Sequence, residues 1–557
     1  MTTNLATLTG GRRALVASLS AVAALLFLPA AAGAEISPLA SFGSSGTGAG
    51  QLDQPAGVAV DAAGNVYVGD KYNFRISEFT AGGAFIRAFG WGVLDGTPAL
   101  QVCTAATGCQ PGIEGDGAGQ LSRPNSLALD SGGNLYVTER TNHRVSEFTP
   151  QGAFIRAFGW DVIDGTSPGT RLQVCTTSCQ AGTPGGNAGQ FDNPRAVVLD
   201  AANTLYIADE FNERIDVFTP QGGFIRAFGW GVANGANALQ TCTASCLAGL
   251  GGGGAGQLSG PRGIALDVFG NLEVADTNNY RVSEFTTGGS FVRAFGWDVN
   301  PGAGGGELEV CTSAGGCQPG VNGDGAGQFY YLYGVAPEAN GNLFVSDTYN
   351  HRVSEFTVQG SFIRTFGWDV VDGTAPGTGF QVCTAVTGCQ AGTPGNGAGQ
   401  FNLQQGIVTD CRGALWVADH DNHRIQRLGE AGTATPPCLA APQALPFTIV
   451  KVIRHKRRGT ATVIIEVPAA GIIKGGDARD QGLLRASSSA RRKRIRRATR
   501  TSPGAGRVRI PIKPTRKSRK KLKRRGHLKV KAKFIYTATG GLPTTRTKAI
   551  RLVLKRR

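Results

Sequence analysis

One residue pattern recurs six times along this chain and leaves little freedom in what it can fold into. Arg75, Arg144, Arg214, Arg281, Arg352 and Arg424 follow one another at intervals of 69, 70, 67, 71 and 72 residues, each two positions after an Asn. A period that regular marks supersecondary units that stack in line or close into a ring. Each unit opens with Gln and an apolar residue (Gln51-Leu52, Gln120-Leu121, Gln190-Phe191, Gln257-Leu258, Gln328-Phe329, Gln400-Phe401) and runs into an alternating stretch such as Val58-Ala59-Val60-Asp61. Alternation of period two, bounded by turn residues, predicts a half-buried strand. A Gly-Asn pair then leads into a second stretch, Val66-Tyr67-Val68 in the first unit, because such turns accept the positive φ of a tight hairpin. A third stretch over residues 75–79 and a fourth over 85–89 complete the unit, the fourth recurring as Phe-Ile-Arg-Ala-Phe-Gly-Trp or nearly so. Four antiparallel strands per unit predict the blade of a β-propeller. Gly and Pro supply 109 of the 557 residues without a three-residue period, which excludes collagen and long helices and fits an all-β chain rich in turns.

Between the second and third strands an acidic residue and an Asn three positions later recur in all six units: Asp70 with Asn73, Glu139 with Asn142, Asp209 with Asn212, Asp276 with Asn279, Asp347 with Asn350, and Asp419 with Asn422. Such side chains satisfy local backbone donors in turns, so they are read as structural. Together with the Arg that follows, they resemble the signature of the NHL-repeat family. The match is clearest in Asp347-Thr348-Tyr349-Asn350-His351-Arg352-Val353, with Asn142-His143-Arg144 and Asn422-His423-Arg424 beside it. The resemblance covers roughly residues 38 to 430 and implies a six-bladed propeller. The sixth unit has no fourth-strand motif after it, whereas Pro38-Leu39-Ala40-Ser41-Phe42-Gly43 resembles that motif. The N-terminal strand is therefore predicted to complete the last blade and to seal the edge of an otherwise open ring.

Ordinary repeats of this family lack the insertions of 26 to 31 residues that begin after Trp91, Trp160, Trp230, Trp297 and Trp368. They leave the blades on the face of the Asp and Asn turns, so they are expected to form a crown there, with the five Trp as candidate ligand-face residues. Each insertion carries two cysteines: Cys103 and Cys109, Cys175 and Cys179, Cys242 and Cys246, Cys311 and Cys317, Cys383 and Cys389. With Cys411 and Cys438 they number twelve, and an even count in an exported chain is read as local disulfides. Zinc would need converging pairs or nearby His, and no insertion contains His.

Candidate chemistry is sparse. His143, His351 and His423 occupy one position of the repeat and are read as packed turn residues, and His420 is adjacent to the sixth such turn. Some proteins with this resemblance are lyases or lactonases that hold a metal in the central channel. Here the inner strands offer only their terminal acids, Asp61, Asp130, Asp200, Asp267 and Asp410, which hairpin turns explain. No catalytic, cofactor or metal site is expected.

At the N-terminus, Arg12 and Arg13 precede an apolar run over residues 14–28 and the small residues Ala32, Gly33 and Ala34, which reads as a secretory signal peptide over residues 1–34 with no membrane span once it is cut. Residues 35–440 form the predicted propeller. Residues 441–557 hold 35 Lys and Arg against 3 Asp and Glu, whereas the chain before them holds 21 against 36. A jump from −15 to +32 marks a domain boundary. Alternating stretches in this part resemble the small basic β-sandwich that ends many secreted proteins of high-GC actinobacteria. Residues 491–500 and 513–525 read as charge-dense loops, and Arg491, Arg492, Lys493, Arg494, Lys520 and Lys521 are candidates for binding a polyanion. The expected function is that of a secreted or cell-surface binding or scaffold module. A protein or glycan would sit on the crown, an anionic envelope polymer on the basic domain, and nucleic acid is not an expected partner in vivo. The alternative is an extracellular lyase or lactonase with a channel metal.

Overall fold

A computed structural model of the chain describes residues 36–163, 171–373, 376–430, 447–467, 471–477, 495, 496, 498–502, 506–538 and 543–554. The first 35 residues, including the predicted signal peptide, lie outside them. No helix among the described residues is long and apolar enough to cross a membrane.

The six repeats form six antiparallel sheets. In the first blade the order from the centre outward is Val58–Val60, Val66–Asp70, Arg75–Phe79, Phe85–Trp91 and Leu100–Cys103. We call the face where the inner strands begin the upper face and the one where they end the lower. The four predicted strands are present, with the fourth extended to its Trp. The fifth was not foreseen. Leu100–Cys103 pairs with Ala88 to Trp91 in antiparallel register, and the other four insertions repeat this. Each insertion therefore folds back along the outer edge of its own blade. An outer girdle is thus added, because a blade whose fourth strand ends at an open edge offers unpaired backbone groups that the insertion takes up, while the later part of each insertion meets the upper turn, as where Gly112 N donates to Asn73 O at 2.8 Å.

Apolar side chains of each blade pack against those of the next. Ala59, Tyr67, Ile76 and Phe89 of the first blade share a cluster with Leu121, Leu127, Leu135, Val137 and Phe148 of the second. Five further clusters of this kind join the remaining neighbours, including the last blade to the first through Trp416, Ala418 and Ile425 against Val58, Val66 and Val68. The ring is thus held by six interfaces of one design. Ile36–Phe42 pairs antiparallel with Arg424–Glu430 and completes the sixth blade, as the sequence predicts. Phe42 also takes the place of a fourth-strand Phe: it lies against Gly83 as Phe89 lies against Gly152. Both glycines have positive φ (83° and 89°), and a Cβ on either would come within 2.8 Å of the ring-bearing side chain. No larger residue fits there without moving the neighbouring blade.

In the C-terminal part, Thr448–His455, Thr460–Val467 and Gly506–Ile512 form one sheet, and Ala498–Ser502, Gly471–Asp477, His527–Ala538 and Pro543–Val553 form another. Both contribute to one apolar core, so the arrangement is sandwich-like. The expected loop at 513–525 is corrected to a helix, Arg516–Arg525. Thr515 caps its N-terminus by accepting a bond from Ser518 N, Gly526 ends it with φ 69°, and Leu522 anchors it in the core. Capping and one buried Leu outweigh repulsion among its basic side chains. Lys520 and Lys521 are exposed on this helix, whereas Arg491, Arg492, Lys493 and Arg494 lie outside the described residues.

Candidate functional site

The recurrent acid, Asn and Arg form a buried knot at the upper end of each blade. Asp70 accepts from Asp53 N at 2.7 Å, from Asn73 Nδ2 at 3.0 Å and from Arg75 Nε at 2.8 Å. The two terminal nitrogens of Arg75 donate to the carbonyls of Thr47, Gly48, Gln51 and Gln110, so one fully buried guanidinium fastens both the lead-in segment and the insertion to the blade. Arg144, Arg281, Arg352 and Arg424 likewise bind the acid of their own knot. In the third blade Asp216 takes over, with Arg214 Nε 2.9 Å away. The consensus His residues link neighbouring blades. His143, His351 and His423 accept through Nδ1 from Asn193 N, Leu403 N and Gln54 N of the following blade. Glu213, at the same position of the third blade, accepts from Gly260 N at 2.6 Å, and burial pushes its carboxyl up to about 7.

The five Trp are half-buried and stand on the fourth strands, three strands out from the channel. Trp91, Trp230 and Trp368 lie against Gly117, Gly254 and Gly397 of the next lead-in, and Trp230 Nε1 donates to Asn237 Oδ1 at 2.6 Å. The insertion acids serve turns: Asp369 accepts from Gly377 N, Thr378 N, Thr378 Oγ1 and Gly379 N. The five insertion cysteine pairs are disulfide-bonded. Cys411 is bonded as well, and its expected partner Cys438 lies outside the described residues.

A different set of side chains converges at the centre. The inner strands enclose a channel of about 440 Å³. Among the described residues its lining contains no carboxylate, imidazole or thiol, and Asp61, Asp130, Asp200, Asp267 and Asp410 instead cap the lower hairpins, as Asp61 does by accepting from Asn65 N at 2.7 Å. This lining does not fit a channel metal. At the upper mouth the first residues of the inner strands include Asn125, Arg195, Arg262, Tyr333 and Gln405. The residues after the recurrent acids, among them Lys71, Arg140, Glu210 and His420, stand beside them. Glu210 accepts from Arg195 Nε at 2.6 Å and from Arg262 Nε at 2.7 Å, and the two arginines hold it below the usual carboxylate range against the effect of burial. Arg140 Nε donates to Asn193 Oδ1 at 2.6 Å. Arg262 stacks 4.4 Å from the Tyr333 ring, and Arg123 lies 5.6 Å from that of Tyr72. Burial lowers Lys71 to about 8, and Arg195, Arg140 and Arg123 push it the same way. Lys71 Nζ is 3.3 Å from His420 Nε2, and His420 Nδ1 is 2.7 Å from Asp421 Oδ1. Tyr280, Tyr330, Tyr331, Tyr333 and Tyr349 form a contiguous aromatic flank, with Tyr349 43% exposed.

Sequence reasoning missed this mouth. A signal was nevertheless present in the repeats. The residue after the recurrent acid reads Lys71, Arg140, Glu210, Thr277, Thr348, His420, and the residue opening the inner strand reads Ala56, Asn125, Arg195, Arg262, Tyr333, Gln405. Positions that vary while their neighbours repeat are those the ring does not need for its own packing.

Residues 52–79, 121–148 and 405–428 match the NHL repeat. Protein brain tumor of Drosophila melanogaster is 25% identical over 190 residues, a stretch that spans 34% of this chain and 14% of that protein. Among solved structures, virginiamycin B lyase from Staphylococcus aureus is similar at 12% identity, over 71% of this chain and 98% of that one, with a TM-score of 0.33. A gluconolactonase from Xanthomonas campestris is similar at 12% identity, over 71% and 90%, with a TM-score of 0.33. Six sheets joined by one interface design and an N-terminal strand that closes the ring make this chain a six-bladed β-propeller, three of whose blades match the NHL repeat.

Proposed function

We propose that this protein is a binding module that takes an anionic ligand at the upper mouth of its channel. The observation that carries this reading is the gathering of Lys71, Arg123, Arg140, Arg195 and Arg262 around one opening, faced by Glu210 and Asp421. Such a cluster is costly without counter-charge, and its arginines add to burial in lowering Lys71. Arg123 Nε and Arg262 Nη1 are buried without a hydrogen-bond partner among the described residues, a cost that an anion reaching them would offset. The tyrosine flank adds a surface for a sugar ring or a peptide side chain. The apparent signal peptide and the paired cysteines support work outside the cytoplasm, and the basic C-terminal part supports attachment to an anionic envelope polymer.

Titrating the full chain with acidic peptides and with uronate or sulfated oligosaccharides, followed by calorimetry, tests this. Binding is expected to weaken with salt, to weaken in Lys71→Gln and Arg140→Gln, and to fall as pH rises through about 8, where Lys71 loses its proton. Anion binding unchanged in both variants would place the ligand elsewhere. The line Asp421, His420, Lys71 favours a second reading, acid-base chemistry at the same mouth, in which Asp421 orients His420 and His420 exchanges a proton with Lys71. Turnover of a bound lactone or ester, lost in His420→Gln with binding retained, would select it.

A further inference from the structure

At the lower face of the fourth blade three carboxylates come together from three chain segments. Asp267 follows strand Pro261–Leu266, Glu273 lies on Asn271–Asp276, and Glu284 lies on Arg281–Thr286 directly opposite Glu273 in register. One oxygen from each lies within 4.8 Å of the others, and the residues are 7, 4 and 2% exposed respectively. The first three blades carry Tyr67, Tyr136 and Tyr206 where the fourth carries Glu273. The Tyr67 hydroxyl faces Glu78, the Tyr136 hydroxyl donates to the Pro220 carbonyl at 3.1 Å with Glu147 close by, and Tyr206 donates to Asp200. In the fourth blade a donor has been exchanged for a third negative charge.

The surroundings leave that charge partly uncompensated. Arg293 Nη2 pairs with Glu284 Oε2 at 2.6 Å, and Lys474 acts on Asp267, two cations against three carboxylates. Asn65 and Asn134 of the first two blades donate to the hairpin acid at 2.9 and 3.0 Å. Asn271 instead turns its Nδ2 to Glu284 Oε1. Its Oδ1, on the amide whose nitrogen meets Glu284, has no hydrogen-bond partner among the described residues although Asn271 is 4% exposed. Asp267 Oδ2 and Glu273 Oε2 also lack one. Buried acceptors gathered without donors are strongly disfavoured unless a cation joins them.

We propose that Asp267, Glu273, Glu284 and the amide oxygen of Asn271 bind a calcium ion at the lower face of the fourth blade. An all-oxygen set with several carboxylates suits a hard divalent cation, and Ca–O bonds of about 2.4 Å allow opposite ligands to stand about 4.8 Å apart. Burial, with Glu284 and Asp267 close by, raises the Glu273 carboxyl well above its usual range, so protons compete with the ion for this place. The site lies at the opposite end of the channel from the cationic mouth and is independent of what binds there.

The test is calorimetric titration of the chelator-treated full chain with calcium chloride at neutral pH, together with thermal melts. Wild type is expected to take up one equivalent and to melt at higher temperature with calcium. Glu273→Gln, which keeps volume but removes charge, is expected to weaken binding at least about tenfold. Glu273→Tyr restores the residue of the first three blades. It is expected to abolish uptake and to melt, without calcium, at or above the temperature of chelated wild type. If the Tyr variant does not fold, the Gln variant decides. No uptake by wild type at millimolar calcium, or uptake equal in wild type and Glu273→Gln, overturns the proposal.

Discussion

Arg352 shows how much of this fold rests on single side chains. It is fully buried, pairs with Asp347 at 2.8 Å and donates to the carbonyls of Asp324, Gly325, Gln328 and Gln390. Truncation would leave the buried Asp347 carboxylate without its counter-charge and take a donor from each of four carbonyls, so Arg352→Ala is expected to lose about 3–5 kcal/mol in chemical denaturation. Arg352→Lys should recover little of it, since one ammonium cannot span the same fork of acceptors. The consensus histidines yield a pH prediction. His143 and His351 accept hydrogen bonds through Nδ1, and burial holds both below the usual histidine pKa of about 6.5. The unfolded chain therefore takes up these protons first as pH falls. The contribution is complete above about 6.5 and is lost progressively below it. Melting temperature should decline from pH 7 to pH 5. Replacing both residues by Asn, which tolerates their left-handed backbone, should flatten that slope. At this scale the sequence made the knots legible because all six units repeat them. The mouth residues were hidden because each blade supplies a different side chain to a shared place.

At the scale of elements, legibility followed length and pattern. The four inner strands of the first blade were read within one or two residues of their bounds. The fifth strand was not, since Leu100–Cys103 and its counterparts are four residues long and set among Gly, Thr and Pro. Pairing with the strand before them, more than their own propensity, makes them strands. Helix Arg516–Arg525 escaped notice because nearly every residue is basic and its core contact is a single Leu. The closing strand, by contrast, was legible by subtraction, as the sixth unit lacked what Ile36–Phe42 supplies. Deleting residues 36–43 should expose the Arg424–Glu430 edge, lower the melting temperature and promote association, read by sedimentation. The insertion disulfides close loops of only 4 or 6 residues, worth about 2 kcal/mol each in the chain-entropy picture. Reduction is therefore expected to raise hydrogen exchange in the outer girdle while the inner four strands stay protected.

Over the whole molecule the charges are segregated: −15 before residue 441 and +32 after it. The helix Arg516–Arg525 concentrates this contrast, because every basic side chain on it is exposed and only Ser518 and Leu522 turn inward. Basic residues in its first turn also oppose the helix dipole. An anionic polymer would relieve both penalties and would release its own counterions, a gain that depends on the number of charges and not on a fitted pocket. If residues 441–557 hold the protein on its envelope, retention of the full chain on anionic wall preparations should fall steeply between about 50 and 500 mM salt. Lys520→Glu with Lys521→Glu should shift that release to lower salt while leaving the melting temperature nearly unchanged, since exposed charges contribute little to stability. Variants at the channel mouth, Lys71→Gln and Arg140→Gln, should leave wall retention as it is. Retention insensitive to salt, or lost with the mouth variants and kept in the helix variant, would assign attachment to the propeller and leave the basic domain as a solvated surface.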